Sequence, residues 1–311
     1  MKRPGNRRAG GAPAGEANGP RVMTLRQWRQ GAVARLRRAP VFFGHGYPNA
    51  GAEADALLAW VTCAGPGVSR EGLDTVLSAE QRLRLDEALR HRIEQRLPVP
   101  YVTGEAWIGP LRFEVTPQVL IPRSFIGELL LEGLDPWIAD PARVLRALDL
   151  CTGSGCLAIL LALAFPGATV DASDVSAAAL EVAERNILRH ELSDRVRALR
   201  SDLFAVLAGR RYDLIVSNPP YVDAAAMAAL PAEYRHEPAL ALAGGLDGLT
   251  LVDAILRTAR QHLEPGGLLV LEVGHNRAAL EAAWPGLPFT WLDTHAGEDF
   301  VCLLQQEDLP A

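Results

Sequence analysis

Short apolar runs alternate with longer helical patterns from about residue 144 to the end of the chain. The runs VLRALDL and TVDASDV have the length and composition of strands. The segments that follow them, CLAILLALAFP and AAALEVAERNILRH, repeat apolar residues at helical spacing. Two last runs, FTWLDTH and DFVCLLQQ, predict an antiparallel pair. Alternating strands and helices predict a doubly wound, mostly parallel α/β sheet with an antiparallel C-terminal strand, and ligands bind at the carboxyl ends of the strands in such a sheet.

The rest of the chain divides into shorter parts. Residues 1–22 are rich in Arg, Gly, Pro and Ala without periodicity, which predicts a disordered leader. Residues 23–98 repeat apolar residues at helical spacing and predict a small helical domain. Residues 99–122 contain a Gly-Pro turn and predict a β-hairpin linker. The α/β domain then covers residues 123–311.

The charge is distributed unevenly along the chain. The formal net charge is −6, but residues 1–40 carry +9, which leaves −15 on the remainder. An Arg-rich leader can contact RNA. Because nearly every cation in the chain is arginine, however, each single Arg says little. Contact with nucleic acid is therefore predicted to be indirect or to involve only the leader.

Two function classes are disfavoured by composition. No window of 18 uninterrupted apolar residues is present, and the first residues lack the apolar core of a secretory signal, so neither a membrane partner nor secretion is expected. The four cysteines are scattered without zinc spacing, which predicts small thiols in a reducing cytoplasm and no metal site.

A glycine-containing loop follows the first strand of the α/β region and opens a helix. Glycines there permit a tight turn and let a ligand approach the backbone closely, although a G-x-G pattern is equally compatible with a plain β–α turn. The acid before the loop favours a cofactor site. The candidate cofactor-binding residues of this segment are Asp149, Cys151, Thr152, Gly153, Ser154 and Gly155.

Two further acids end the next two strands. Asp174 lies 21 residues beyond Gly153, near the spacing at which an acid binds ribose hydroxyls. Asp202, with Leu203 after it, follows the third strand, where it could accept a hydrogen bond from an adenine amine. Both acids could instead be helix caps or turn residues.

The segment Asn218-Pro219-Pro220-Tyr221 ends the next strand, because prolines cannot donate ladder hydrogen bonds. The Asn218 side-chain oxygen and the Pro219 carbonyl can accept hydrogen bonds from both N–H bonds of a planar amide or aryl amine. Its lone pair is then oriented towards an electrophile, and Tyr221 can pack on its flat face. The alternative is a strand-ending turn.

Taken together, the motifs D-L-C-T-G-S-G, Asp174, Asp202 and N-P-P-Y resemble the class I S-adenosylmethionine-dependent methyltransferases of the N5-glutamine (HemK-like) group. That resemblance implies S-adenosylmethionine as the cofactor, Leu203 near its adenine ring, and a helical N-terminal domain that recognises the substrate. The stretch P-R-S-F-I-G-E-L and the stretch Y-R-H-E-P resemble the branch that methylates large-subunit ribosomal protein L-three. Within these stretches, Arg123 and Glu237 are candidate substrate-binding residues. Arg123 could instead order the interdomain hairpin or be a surface arginine. Glu237 is expected to bond the segment Asn218–Tyr221, the catalytic loop, although its own stretch could be an ordered surface loop.

Three alternatives remain open at this level. The same reaction on a peptide chain release factor would change only the recognition surface. Methylation of adenine amines in nucleic acid would require a basic groove, whereas the body of the chain is acidic. A partner-binding protein without activity would not need the glycine loop and N-P-P-Y together.

Overall fold

In the computed structural model, the structure describes residues 22–65 and 70–311. The predicted leader over residues 1–22 therefore lies outside the described residues, apart from Val22. Among the described residues, no helix is long and apolar enough to cross a membrane.

Three helices build the predicted helical domain: α1 (Leu25–Arg38), α2 (Ala50–Thr62) and α3 (Ala79–Glu94). Thr24 and Ser78 start α1 and α3 as capping boxes, in which the cap side chain and a glutamine three residues later satisfy free backbone N–H groups. The helices share an apolar core, which includes Trp28, Leu36, Leu57, Leu58 and Leu85.

A short connection joins this domain to the sheet. Helix α4 (Val99–Thr103) precedes the hairpin strands β1 (Glu105–Ile108) and β2 (Leu111–Glu114). The hairpin is thus shorter than the predicted 99–122, because Pro98 precedes a short helix and Pro100 lies in its first turn, where proline fits well.

A seven-stranded sheet forms the α/β domain, in the order β5-β4-β3-β6-β7-β9-β8. In this sheet β9 alone runs opposite to the other strands, since it pairs antiparallel with both β7 and β8. The predicted doubly wound sheet with an antiparallel C-terminal strand is confirmed. The strands are β3 (Arg146–Leu150), β4 (Thr169–Asp174), β5 (Val196–Arg200), β6 (Tyr212–Ser217), β7 (Leu263–Glu272), β8 (Thr290–Thr294) and β9 (Gly297–Gln305). The helices are α5 (Phe125–Leu131), α6 (Cys156–Ala164), α7 (Ala177–Arg189), α8 (Ala224–Ala229), α9 (Thr250–Thr258) and α10 (Arg277–Ala283).

Alternate residues of the central strands enter two separate cores. Ala147 and Leu214 pack on the face covered by α5 and α6, whereas Leu148 and Ile215 pack on the face covered by α9. Strand β3 pairs with β4 on one side and with β6 on the other, so the chain reverses its winding direction between β3 and β6. Ligand sites of open α/β sheets form at such a reversal.

Candidate cofactor and catalytic site

A cavity of about 330 Å³ opens at the carboxyl ends of the central parallel strands. One side of the cavity is formed by the segments that follow β3, β4, β5 and β6. The other side is formed by residues 118–120 and by residues within 238–241. The size is that of a small-molecule site. The residues that the sequence singled out and that line it are Cys151, Gly153, Asp174, Asp202, Leu203, Asn218 and Pro220.

The loop after β3 has the backbone that its glycines allow. Cys151, Gly153 and Gly155 all have positive φ, at 64°, 55° and 80°. A Cβ on Gly155 would lie 3.2 Å from the Cα of Ala183 in α7. Gly155 therefore permits close packing of α6 against α7, while Cys151 and Gly153 face the cavity.

Asp149 supports this loop from behind. Its buried carboxylate accepts hydrogen bonds from the Thr152 hydroxyl and, at 2.9 Å, from the Ala158 N–H, which joins the end of β3 to the start of α6. Burial raises its pKa to about 7. Thr152, Ser154 and Gly155 are likewise buried and do not line the cavity.

Asp174 connects the second strand end to the glycine loop. One carboxylate oxygen accepts the Gly153 N–H at 2.9 Å and the other accepts the Ser176 N–H at 2.8 Å. Ser176 itself caps α7, so the N-cap role in this stretch belongs to Ser176. Asp174 also lines the cavity, each of its oxygens can accept a further hydrogen bond, and burial raises the pKa of the carboxyl.

The third strand end places a leucine in a conformation that side chains seldom adopt. Leu203 has a φ of 45°, and its carbonyl accepts a 2.6 Å hydrogen bond from the Ser201 hydroxyl. This turn exposes Asp202 and leaves Leu203 half-buried at the cavity.

The segment Asn218–Tyr221 follows β6, whose last residue is anchored by a 2.7 Å hydrogen bond from the Ser217 hydroxyl to the Leu150 carbonyl. Within residues 22–65 and 70–311, neither the Asn218 side chain nor the Pro219 carbonyl has a hydrogen-bond partner. Asn218 thus lines the cavity with a free side chain, the Pro219 carbonyl follows it directly in the chain, and both prolines are buried.

Tyr221 does not line the cavity and is held by the end of β7 and the turn that follows it. Its hydroxyl donates to the buried Glu272 carboxylate at 3.3 Å, and its ring lies against Gly274, where a Cβ would come within 2.4 Å of Cε2. The Tyr221 carbonyl accepts a 2.7 Å hydrogen bond from the side chain of Asn276. The ring is therefore fixed from behind, beside the two free acceptors.

Arg123 and Glu237 bind each other. Both terminal nitrogens of Arg123 donate to the two oxygens of Glu237, at 2.6 and 2.7 Å, and the Ile121 N–H donates at 3.1 Å. Burial alone would raise the pKa of Glu237, but nearby His45 and Arg123 outweigh it and lower that pKa to about 2. The expected hydrogen bond from Glu237 to the catalytic loop is wrong, since these partners engage its carboxylate instead.

Known proteins resemble the chain over nearly its whole length. The ribosomal protein uL3 glutamine methyltransferase of Bordetella pertussis is 51% identical over 93% of this chain and 97% of its own. The protein of the same name from Neisseria gonorrhoeae is 48% identical over 93% and 96%. A family model described as "Methyltransferase small domain" matches residues 127–233.

The chain belongs to the ribosomal protein uL3 glutamine methyltransferase family. The resemblance seen in the motifs is thereby confirmed, and the chain is a methyltransferase whose methyl donor is S-adenosylmethionine. A solved structure of the hMettl16 catalytic domain in complex with a MAT2A 3′UTR hairpin has a TM-score of 0.51, with 16% identity over 79% of this chain and 91% of that chain, and shows the fold alone.

The residues that line the cavity of this chain fit S-adenosylmethionine. Asp174 offers free lone pairs to ribose hydroxyls, the exposed Asp202 carboxylate can accept from an amine, and Leu203 and Leu251 offer apolar surface to a ring. Among the described residues, no group of three or more His, Cys, Asp or Glu could hold a metal ion.

Sequence reasoning missed one residue of the site, Glu272. It accepts hydrogen bonds from the Ser124 hydroxyl at 2.5 Å and from the Phe125 N–H at 2.9 Å, besides the Tyr221 hydroxyl. Burial raises its pKa to about 7. The available signal was an acid at the end of the apolar run GLLVLE, since a charged group that ends a buried strand requires partners.

Proposed function

We propose that this protein transfers a methyl group from S-adenosylmethionine to the side-chain amide nitrogen of a glutamine in ribosomal protein uL3, which is L-three of the large subunit. The observation that carries the proposal is the Asn218 side chain at the cavity, followed directly in the chain by the carbonyl of the buried Pro219, both without a hydrogen-bond partner among the described residues. The names of the relatives support glutamine and uL3 as the substrate.

S-adenosylmethionine supplies an electrophilic methyl group on a sulfonium sulfur. An amide nitrogen is a poor nucleophile, because its lone pair is delocalised into the carbonyl. Asn218 and Pro219 each accept one N–H of the glutamine amide, which turns its lone pair towards the methyl group. The same two acceptors stabilise the positive charge that develops on nitrogen, and the proton leaves to water. Tyr221 packs on the flat face of the amide from its fixed position against Gly274.

The cofactor-binding roles that we propose follow the strand ends. Cys151, Gly153, Asp174, Asp202 and Leu203 contact the cofactor directly, which the cavity lining supports. Asp149, Thr152, Ser154 and Gly155 act through the loop shape, since they are buried behind it. Arg123 and Glu237 shape the wall beside the catalytic loop. They do not bind the substrate through their charges, because the guanidinium group of Arg123 is already paired with the carboxylate of Glu237.

The substrate assignment is tested with purified protein and radiolabelled S-adenosylmethionine. Unmethylated uL3 should gain label on one glutamine, identified by mass spectrometry, and peptide chain release factors should gain none. Label on release factors and none on uL3 would reverse the substrate assignment while leaving the reaction intact. A substrate of this kind is made in the cytoplasm, which is the location that we propose, with nucleic acid contact confined to the leader.

A further inference from the structure

A buried group of charges joins the helical domain to the segment that follows the catalytic loop. Arg92 of α3 is 1% exposed, and its Nε lies 2.9 and 3.0 Å from the two oxygens of Glu53 in α2. Its Nη1 donates at 3.1 Å to Glu233, which is fully buried in the turn Ala232–His236. Arg96 donates to both oxygens of Glu233, at 2.6 and 2.7 Å. We name these four residues the interdomain latch.

The latch is a closed network of two cations and two anions. The backbone of Phe42 completes it, because its N–H donates to Glu233 at 2.8 Å and its carbonyl accepts from Arg92 at 2.7 Å. Burial alone would raise the pKa of Glu233, but hydrogen bonds from Arg96, the Phe42 N–H and Arg92 lower it to about 2. Buried ion networks add little net stability compared with apolar packing, but their directional bonds allow one arrangement. The latch is therefore suited to hold the turn Ala232–His236 in one position against the helical domain.

The segment that the latch holds forms one wall of the cofactor cavity. Pro238, Leu240 and Ala241 line the cavity, five to eight residues after Glu233. The same segment then pairs with the catalytic loop. The Val222 N–H donates to the Leu242 carbonyl at 2.9 Å, and the Gly244 N–H donates to the Val222 carbonyl at 2.8 Å. Val222 directly follows Tyr221 in the chain.

Two further contacts with the helical domain support the same arrangement. The ring of His45 lies 4.3 Å from that of Tyr234, the residue next to Glu233, and His236 contacts the Gln95 carbonyl at 3.0 Å. The helical domain thus holds the turn Ala232–His236 at three points, while Arg123 holds Glu237 from the catalytic domain. Both domains determine where the cavity wall and the loop stand.

We infer that Arg92 and Arg96, acting through Glu233, are positioning residues by which the helical domain sets the cofactor wall and the catalytic loop for methyl transfer. This inference rests on the proposed function, because it concerns the same loop. It gives the helical domain a role beyond recognition of the substrate: its docked position is part of the catalytic geometry.

The test uses the full-length protein with Arg96→Met, which removes both bonds to Glu233, and with Arg96→Lys, which keeps the charge but loses the paired geometry. The matched control is Arg26→Met, which breaks an exposed ion pair with Asp74 in the same domain and touches nothing of the wall. The dissociation constant of S-adenosylmethionine is measured by calorimetry. The kcat and KM for uL3 are measured well below the melting temperature and normalised to the folded fraction.

Arg96→Met should lower kcat about tenfold per folded molecule and weaken cofactor binding about threefold, because displacement of a positioned loop is costly. KM for uL3 should change less, Arg96→Lys should recover part of the loss, and Arg26→Met should match the unaltered protein. If Arg96→Met does not fold, the inference is tested with Arg96→Lys alone, which should have a lower kcat than the unaltered protein. Unchanged kcat and cofactor affinity per folded molecule would overturn the inference, because a purely structural latch affects only the folded fraction.

The two proposals can fail separately. If the unaltered protein transfers no methyl group to uL3, the proposed substrate is refuted. The latch is then decided by the cofactor dissociation constants of the Arg96 variants, which do not depend on the methyl acceptor.

Discussion

Truncation of Asn218 should separate catalysis from folding. In the described part of the chain its side chain has no hydrogen-bond partner, so Asn218→Ala leaves no buried group unsatisfied. We expect the free energy of unfolding to change by less than about 0.5 kcal/mol. The same substitution removes one of two acceptors that orient the substrate nitrogen. The loss of one such oriented bond costs about 2.7–4 kcal/mol in the transition state, so kcat should fall about 10²–10³-fold.

The assay measures initial rates of label transfer from saturating S-adenosylmethionine to uL3, with the cofactor dissociation constant and urea unfolding measured on the same preparations. Thr24→Ala is the matched control, because Thr24 caps α1 by accepting the Gln27 N–H and neither lines the cavity nor belongs to the latch. It should lower stability by about 1 kcal/mol and leave kcat unchanged. A kcat for Asn218→Ala within a few-fold of normal would refute the proposed role of this side chain.

Three further perturbations test the surroundings of the catalytic loop. Asp174→Ala should raise the dissociation constant of S-adenosylmethionine, measured by calorimetry, about tenfold or more. An unchanged constant would show that another residue binds the ribose. Gly274→Ala, with a Cβ 2.4 Å from the Tyr221 ring at a φ of 56°, should lower both kcat and the melting temperature, and normal kcat would show that the ring position is unimportant. Burial raises the pKa of Glu272 from 4.5 to about 7, and that of Asp149 also to about 7. The two groups therefore contribute their full share to the free energy of unfolding at low pH, where they are neutral. That share is lost as the pH rises through about 7. Glu272→Gln should remove its share, at most roughly 3 kcal/mol, so that the free energy of unfolding in urea declines less between about pH 5 and pH 8, and an equal decline would contradict the assignment.

The sequence predicted what local patterns determine. Alternating apolar runs predicted the sheet and its antiparallel last strand, because strand and helix periodicities are properties of neighbouring residues. Two prolines predicted where β6 ends and hence where Asn218 stands. The spacing between Gly153 and Asp174 predicted an acid for the ribose, and Asp174 lies at the cavity beside the glycine loop, where its role on the ribose stays a prediction.

Pairings between distant residues could not be predicted in this way. Glu233 bonds Arg96 across 137 positions, and neither residue stands in a pattern that indicates its partner. Glu237 was expected on the catalytic loop, but it is paired with Arg123, because a buried carboxylate takes the cation that the fold brings within reach. The positive φ of Leu203 depends on a hydrogen bond from the Ser201 side chain, which no propensity scale includes.

The position of the P-R-S segment changes what its resemblance to the L-three branch means. Arg123 and Ser124 are adjacent, and each binds a buried carboxylate: Arg123 binds Glu237, in the segment that pairs with the catalytic loop, and Ser124 binds Glu272, which bonds the Tyr221 hydroxyl. These two side chains therefore brace the catalytic loop from behind. A segment in this position supports one arrangement of the catalytic loop and does not contact the substrate. We therefore expect that exchanging the P-R-S segment alone changes the rate of methyl transfer and leaves the choice between uL3 and a release factor as it is, as measured by label transfer to each.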